Sequence, residues 1–408
     1  MSNSLNTVKL NAGILAKAAA AELVDNLQFC KSISKADPAD YKGKNGYSAG
    51  DTIYISKPAR FVPGSSFDIT SSIADVVEEK TPLVLNVLST VAVSLDSQEL
   101  ASTIDLSQVF NRVIKPAIHS IAQNVESTML TTAVNSVYNT VGTAGATVFD
   151  TDTMNSATEK MSKFLAPMAD RYALLDATAT RSAVNARKGL FQNSAEVAKQ
   201  YKMGEMGMAD GFTYLSNQLI PTHTRGTATG SITVTTTSSE GDTTLALTGT
   251  SSQTLKKGDV FTIASVYAVH PITKVKQNFL QQFVVTADNT ASSGSYTGVA
   301  VSPSIYAASA GLQTVDSLPQ SSAVVTLVGS ASTGYTQNLC FHEDAFRMVS
   351  VPLVMPEAVE IAEQATFEGV TVAIVRAFDV LKRRMITRVD FLGGIASTRP
   401  EWACRVTS

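Results

Sequence analysis

Between Pro221 and about Leu339 helix-compatible periodicity disappears and Ser, Thr and Gly dominate, whereas helical and strand patterns alternate on either side. The stretch contains short apolar runs separated by turn residues: Ser231 to Thr237, Thr243 to Thr248, Val260 to Val266, Phe279 to Thr286, Tyr296 to Val301 and Ala323 to Val328. That rhythm predicts a small all-β barrel or sandwich, with Gly258-Asp259 as a turn and Val260 to Val269 as its central strand. An all-β stretch between two mixed halves limits the chain to an α+β parent that carries a β insertion. Such an insertion is tolerated where its ends meet at a surface turn, so Thr222 and Asn338 are expected to be neighbours.

Upstream, the Ala-rich segment Leu10 to Leu27 is interrupted by Lys17, Glu22 and Asp25, which suits an amphipathic helix and not a secretory core. Asp37 to Asp51, with Gly43, Gly46 and Gly50, reads as a loop. Thr52-Ile53-Tyr54-Ile55 reads as a strand, Pro58 and Pro63 break it, and Val84 to Val93 reads as the returning strand of a long hairpin arm. Such an arm has little core of its own and should rest on a neighbouring molecule. Its charges, Lys57, Arg60, Asp68, Glu78 and Glu79, are therefore expected to pair across subunits.

The strongest helical stripe follows, from Leu106 to Tyr138, through Val109, Val113, Ala117, Ile121, Val125, Met129, Ala133 and Val137. Pro116 inside it is expected to kink or divide the helix. A helix from about Met154 to Met168, a buried strand Arg171 to Leu175 and a helix Ala177 to Arg187 continue the alternation, and long strands are expected at Ala365 to Phe378 and Arg388 to Gly393.

Composition excludes several functions. A hydrophobic share of 44% with 16% charged residues is globular, and a net charge of -3 argues against tight phosphate binding. Lys382, Arg383 and Arg384 form the one basic run, but Asp379 and Asp390 lie close by. Cys30, Cys340 and Cys404 are too scattered for a disulfide framework or a zinc site. His342-Glu343-Asp344 lacks the second histidine of a zincin helix, because position 346 is Phe346, and reads as a turn. His119 reads as a packed or solvent-edge residue, and His223 and His270 as loop residues without acidic or cysteine neighbours at ligand spacing. No phosphate loop, dinucleotide fingerprint or nucleophile elbow is present, so no catalytic site, metal or cofactor is expected. No stretch reaches the length of a membrane span.

The order of hairpin arm, long helix, mixed domain and C-terminal strands resembles the Hong Kong 97-type capsid subunit of tailed bacteriophages. Phe367-Glu368-Gly369, Arg376-Ala377-Phe378-Asp379, Arg388-Val389-Asp390-Phe391 and Ser397-Thr398-Arg399-Pro400-Glu401 resemble that family's closing pattern, and Gly204-Glu205-Met206-Gly207 through Leu219-Ile220-Pro221 its preceding phrase. A β domain at this point is similar to the coat protein of the Salmonella short-tailed phages. Leu255-Lys256-Lys257-Gly258-Asp259, Thr52 to Ile55 and Thr227-Ala228-Thr229-Gly230 match the same relative.

The resemblance implies the Hong Kong 97-type α+β fold with an inserted all-β domain. It divides the chain into an N-terminal arm and helix (1–36), an extended hairpin arm or E-loop (37–95), the spine helix with the first part of the peripheral and axial domains (96–221), the insertion (222–340) and the remainder (341–408). It implies a major capsid protein that self-assembles into an icosahedral virion shell in the host cytoplasm, and noncovalent assembly is expected because no residue here matches the Lys and Asn partners of the founding member's covalent chain links. Its partners would be many copies of itself, a scaffolding protein, a portal and double-stranded DNA bound without sequence specificity. In the relative a charged hairpin of the insertion is thought to reach a neighbour, but Ser238-Ser239-Glu240-Gly241-Asp242 is short, which puts that contact in doubt. Alternatives are an encapsulin-type nanocompartment, a cell-surface adhesin lacking its export signal, and a hydrolase.

Overall fold

A computed structural model describes residues 12–36, 47–57, 80–96, 114–145, 150–187, 207–308, 312–356, 359, 361–382 and 384–407. The chain forms two compact units. Met1–Ile55, Pro82–Met129 and Arg347–Ala396 make the first, and Ser56–Thr81, Leu130–Phe346 and Ser397–Ser408 the second.

The first unit is built on a sheet in the order Ser34–Lys35, Phe346–Ser350, Arg384–Ser397, Val370–Asp379, Ile361–Phe367, with Val87–Asp96 also paired to Arg384–Ser397. The helix Ala12–Asp25 packs against Ile361–Phe367 and Val370–Asp379. It buries Ala16, Ala19, Ala20, Leu23 and Val24, the spacing of one helical face. Its small side chains allow close approach to the sheet.

Two sequence expectations are corrected here. Ala365 to Phe378 is not one strand but a hairpin, because Glu368 and Gly369 both adopt left-handed φ, 46° and 76°, and reverse the chain. Val84 to Val93 is likewise broken at Leu85-Asn86: Lys80–Val84 pairs with Thr52–Ser56, whereas Val87–Asp96 pairs with Arg384–Ser397. A β-branched run signals strand but does not reveal where its hydrogen-bond partner changes. Ile53, Ile55, Leu83 and Leu85 share a buried cluster with Val349, Val351 and Leu392.

The long helix is Lys115–Ser136, and its predicted stripe is buried at Ala117, Ile121, Val125, Met129 and Ala133, and at Val137 just beyond its end. Pro116 stands at the edge of the described residues, so the kink or division expected there lies outside them. Residues 106 to 113 of the expected helix lie outside the described residues. Glu126, in the same helix, is buried and accepts a hydrogen bond from Phe29 N at 2.6 Å.

In the second unit the sheet order is Thr140–Val141, Ala403–Thr407, Gly334–His342, Arg171–Leu175, Phe212–Ser216, Met208–Ala209. The helix expected from Met154 to Met168 runs Thr151–Lys163: Asp150 caps it by accepting from Thr153 N at 2.9 Å, and Leu165, at φ 59°, ends it before Pro167. This helix and Ala177–Arg187 pack Met154, Ala157, Met161, Ala179 and Ala183 onto the sheet residues Ala173, Leu175, Cys340, Cys404 and Val406. The three cysteines are buried free thiols.

Residues 225–333 form a six-stranded sheet in the order Ile232–Thr233, Val324–Leu327, Val260–Val269, Lys276–Val285, Ser295–Ile305, Asp242–Thr248. They have their own core, in which Phe261 and Phe283 stack at 5.7 Å. The strand expected at Ser231 to Thr237 shortens to Ile232–Thr233. The chain arrives on Thr222–Thr224 and leaves on Gly334–His342, and these two strands pair antiparallel with Thr222 opposite Thr336.

Candidate assembly surfaces

Of the five arm charges, Arg60, Asp68, Glu78 and Glu79 lie outside the described residues. Lys57 is half-buried and lines a cleft of about 430 Å³ with Tyr138, Phe164, Ile272, Tyr306 and Trp402. In the basic run, Arg383 is outside the described residues, and Arg384 Nε lies 3.5 Å from Asp379 Oδ2. Asp379 Oδ1 accepts from the backbone N of Leu381 and of Lys382, at 3.0 and 3.3 Å. This carboxylate therefore organises a turn and offsets part of the positive charge.

What the sequence reading overlooked is the apolar content of that turn. The long strands Val370–Asp379 and Arg384–Ser397 carry at their tip Val380, 77% exposed, and Leu381, 94% exposed, beside the half-exposed Phe378. Adjacent apolar residues at a hairpin tip, where polar turn residues are usual, were the available signal. A projecting Leu without intramolecular packing is suited to a pocket on another molecule.

The turn Ser238 to Asp242 folds back on itself, with Ser239 N donating to Asp242 Oδ2 at 2.7 Å. The carboxylate of Glu240 accepts from Ala307 N and Ala308 N at 3.1 and 2.9 Å, which directs its charge into this segment.

Residues 225–333 join the surrounding sheet through polar contacts. Gln282 Oε1 accepts from Thr140 N at 2.8 Å and its Nε2 donates to Thr140 O at 3.1 Å. Lys160 Nζ also donates to Gln282 Oε1, and to Thr140 O at 3.2 Å. Burial pushes the Lys160 ammonium down to about 8. Lys163 Nζ donates to Asn278 Oδ1 at 3.3 Å and stands 5.2 Å from the centre of the Phe279 ring. Val260 and Val284 pack against Tyr138.

The histidines occupy structural positions. His223 is not a loop residue without an acidic neighbour: it sits on a strand with Nε2 2.8 Å from the buried Asp259 Oδ1. Thirty-six positions separate the two in the chain, so no local spacing rule finds the pair. His270 Nδ1 accepts from Thr273 N at 3.1 Å, and His342 Nδ1 accepts from Asp344 N at 3.1 Å as the cap of the 3-10 turn Glu343–Ala345. Burial lowers the His342 imidazole below its usual range. His119 stands 3.4 Å from Glu22 Oε1. Among the described residues no cluster of three or more His, Cys, Asp or Glu could hold a metal ion, and no helix is long and apolar enough to cross a membrane.

Comparison with known proteins places these surfaces in context. A family model described as P22 coat protein, gene protein 5, matches residues 5–405. No curated protein matches the chain. Among solved structures, one of Mycobacterium phage Che8 covers 93% of this chain and 90% of its own at 9% identity, with a TM-score of 0.45. The capsid of Ralstonia phage GP4 covers 92% and 87% at 8% identity, also with a TM-score of 0.45. The CUS-3 coat protein I-domain covers 24% of this chain and 96% of its own at 30% identity, with a TM-score of 0.19. The phage family match over nearly the whole chain favours a coat protein over a nanocompartment shell. The chain belongs to the P22 coat protein family and is a major capsid protein with the Hong Kong 97-type α+β fold, a component of a phage virion.

Proposed function

We propose that copies of this chain assemble noncovalently into an icosahedral shell around a double-stranded DNA genome, and that the tip Val380-Leu381 is one of the contacts that hold neighbouring copies together. The observation that carries this reading is an apolar tip 94% exposed at Leu381, held out by two paired strands whose register runs from Ala373 opposite Asp390 to Asp379 opposite Arg384. Burying one such side chain contributes roughly 1.5–3 kcal/mol. A contact of that size is weak alone but is repeated by symmetry throughout a closed shell. Weak individual contacts also permit errors to dissociate before the shell closes.

The arm charges Lys57, Arg60, Asp68, Glu78 and Glu79 would supply a second, polar set of contacts. Residues 222–340 would form an inserted β domain, flanked by the parts 1–36, 37–95, 96–221 and 341–408. The slightly acidic chain suits an inner wall that does not grip DNA, and a scaffolding protein and a portal would guide assembly in the host cytoplasm. The role is structural and requires no catalysis.

The test is Leu381→Asp, alone and with Val380→Asp, expressed with the cognate scaffolding protein. Expected are soluble subunits with wild-type circular dichroism and thermal midpoint but no megadalton particles by light scattering and electron microscopy. Shells of normal yield from the double variant would refute the assigned contact.

A further inference from the structure

Within the second unit, the strand Thr222–Thr224, the turn before Val260–Val269 and the strand Ala403–Thr407 leave a cavity of about 20 Å³ whose lining includes Thr140, His223, Arg225, Asp259 and Arg405. Its charges do not cancel. Arg405, 2% exposed, and Arg225 bring two guanidiniums, while Asp259, also 2% exposed, is the one carboxylate in the lining. Cys404, beside Arg405, is kept a neutral thiol by burial, which raises it to about 11.

The hydrogen bonds are unbalanced in the same direction. Asp259 is occupied by Gly226 N at 3.1 Å, Lys256 N at 2.9 Å and His223 Nε2 at 2.8 Å. Arg405 Nη1 donates to Gly258 O at 2.8 Å, and Arg225 donates through Nη2 to Ala228 O at 2.6 Å and through Nη1 to Gly329 O. Arg405 Nε and Nη2, Arg225 Nε and Thr140 Oγ1 are buried and have no partner among the described residues. Three of these four atoms can only donate, and the hydroxyl can donate too.

We infer that this cavity binds one monatomic monoanion of the chloride class. A volume of about 20 Å³ is the size for a single small ion or water. An excess of buried positive charge is unfavourable unless it is paired, and a monoanion supplies the missing charge. It also accepts from every direction at once, whereas a water molecule brings two protons of its own into a donor-rich site. The ion would join residues of the 225–333 segment, Arg225 and the backbone around Asp259, to Thr140 and Arg405 of the surrounding sheet.

The test uses the full chain in bromide. Crystals of the subunit grown in sodium bromide should show an anomalous peak within hydrogen-bonding distance of Arg405 and Arg225. In parallel, the thermal midpoint of the wild-type subunit should rise saturably as chloride replaces gluconate at constant ionic strength. Thr140→Val, which removes one donor without adding bulk, should weaken that response, and Arg405→Met should abolish it. If Arg405→Met does not fold, the anomalous map and Thr140→Val still decide. A water-sized peak without bromide signal overturns the inference, as does a chloride response equal in wild type and Thr140→Val.

Discussion

Lys160→Met isolates the consequence of burying an ammonium where residues 225–333 meet the surrounding sheet. In the folded chain burial lowers Lys160 from 10.5 to about 8. Between those limits the unfolded chain holds a proton that the folded chain has released, so stability rises with pH through this window. Below pH 8 both states are protonated and the burial penalty is felt in full. Above 10.5 both are neutral and it is gone. A shift from 10.5 to about 8, at about 1.36 kcal/mol per unit, gives a wild-type gain of about 2.5 kcal/mol between pH 7 and pH 10. Lys160→Met has no proton to release and should lack this gain. Other groups titrate in the same range, Arg405 among them at about 9, so the quantity to measure is the difference between wild type and variant at each pH. Urea unfolding of the unassembled subunit, followed by circular dichroism and tryptophan fluorescence, provides it. If the two proteins change in parallel from pH 7 to pH 10, Lys160 is not desolvated and the joint is wet.

Gly258→Ala should lower the subunit's unfolding free energy by about 2–4 kcal/mol, because φ there is +100° and a Cβ would lie 2.4 Å from Asn135 Oδ1; urea midpoints compare it with wild type. Phe283→Ala removes a fully buried ring stacked on Phe261 and should cost about 3–5 kcal/mol in the same assay. Glu126→Gln weakens a charged acceptor that holds Phe29 N at 2.6 Å, with an expected loss of about 1–3 kcal/mol and faster hydrogen exchange at Phe29.

Much of the fold is legible where local pattern and tertiary environment agree. The stripe from Ala117 to Ala133 is buried as its spacing predicts, and Arg171–Leu175 and Ala177–Arg187 fall on the expected residues. Agreement fails where a choice depends on distant partners. Val84 to Val93 is rich in β-forming residues, yet Val84 ends a strand paired with Thr52–Ser56 while Val87 begins one paired with Arg384–Ser397, partners more than 250 positions apart in the chain. Glu368-Gly369 is a turn signal in the middle of a long apolar run, and the run concealed it. Charge was legible only as composition. That Lys382 and Arg384 sit beside Asp379 on an apolar tip, and that His223 meets Asp259, required the folded chain. The candidate contacts were correspondingly harder to see than the elements that carry them, because exposure of Val380 and Leu381 is a property of the turn and not of the residue types.

The antiparallel pairing of Thr222–Thr224 with Gly334–His342 makes residues 225–333, topologically, the loop of a single hairpin. Loop-closure entropy grows only logarithmically with length, so a loop of this size costs roughly 3 kcal/mol more to close than a tight turn. A tight turn fixes strand register by its own geometry, whereas here the folded body between the strands must do so. Register in the parent sheet is then thermodynamically linked to integrity of the core around Phe261 and Phe283. A lesion at Phe283 should reach beyond its own core, loosening Thr336 against Thr222 first and exposing the edge of the strand that also carries Leu339 and Phe341.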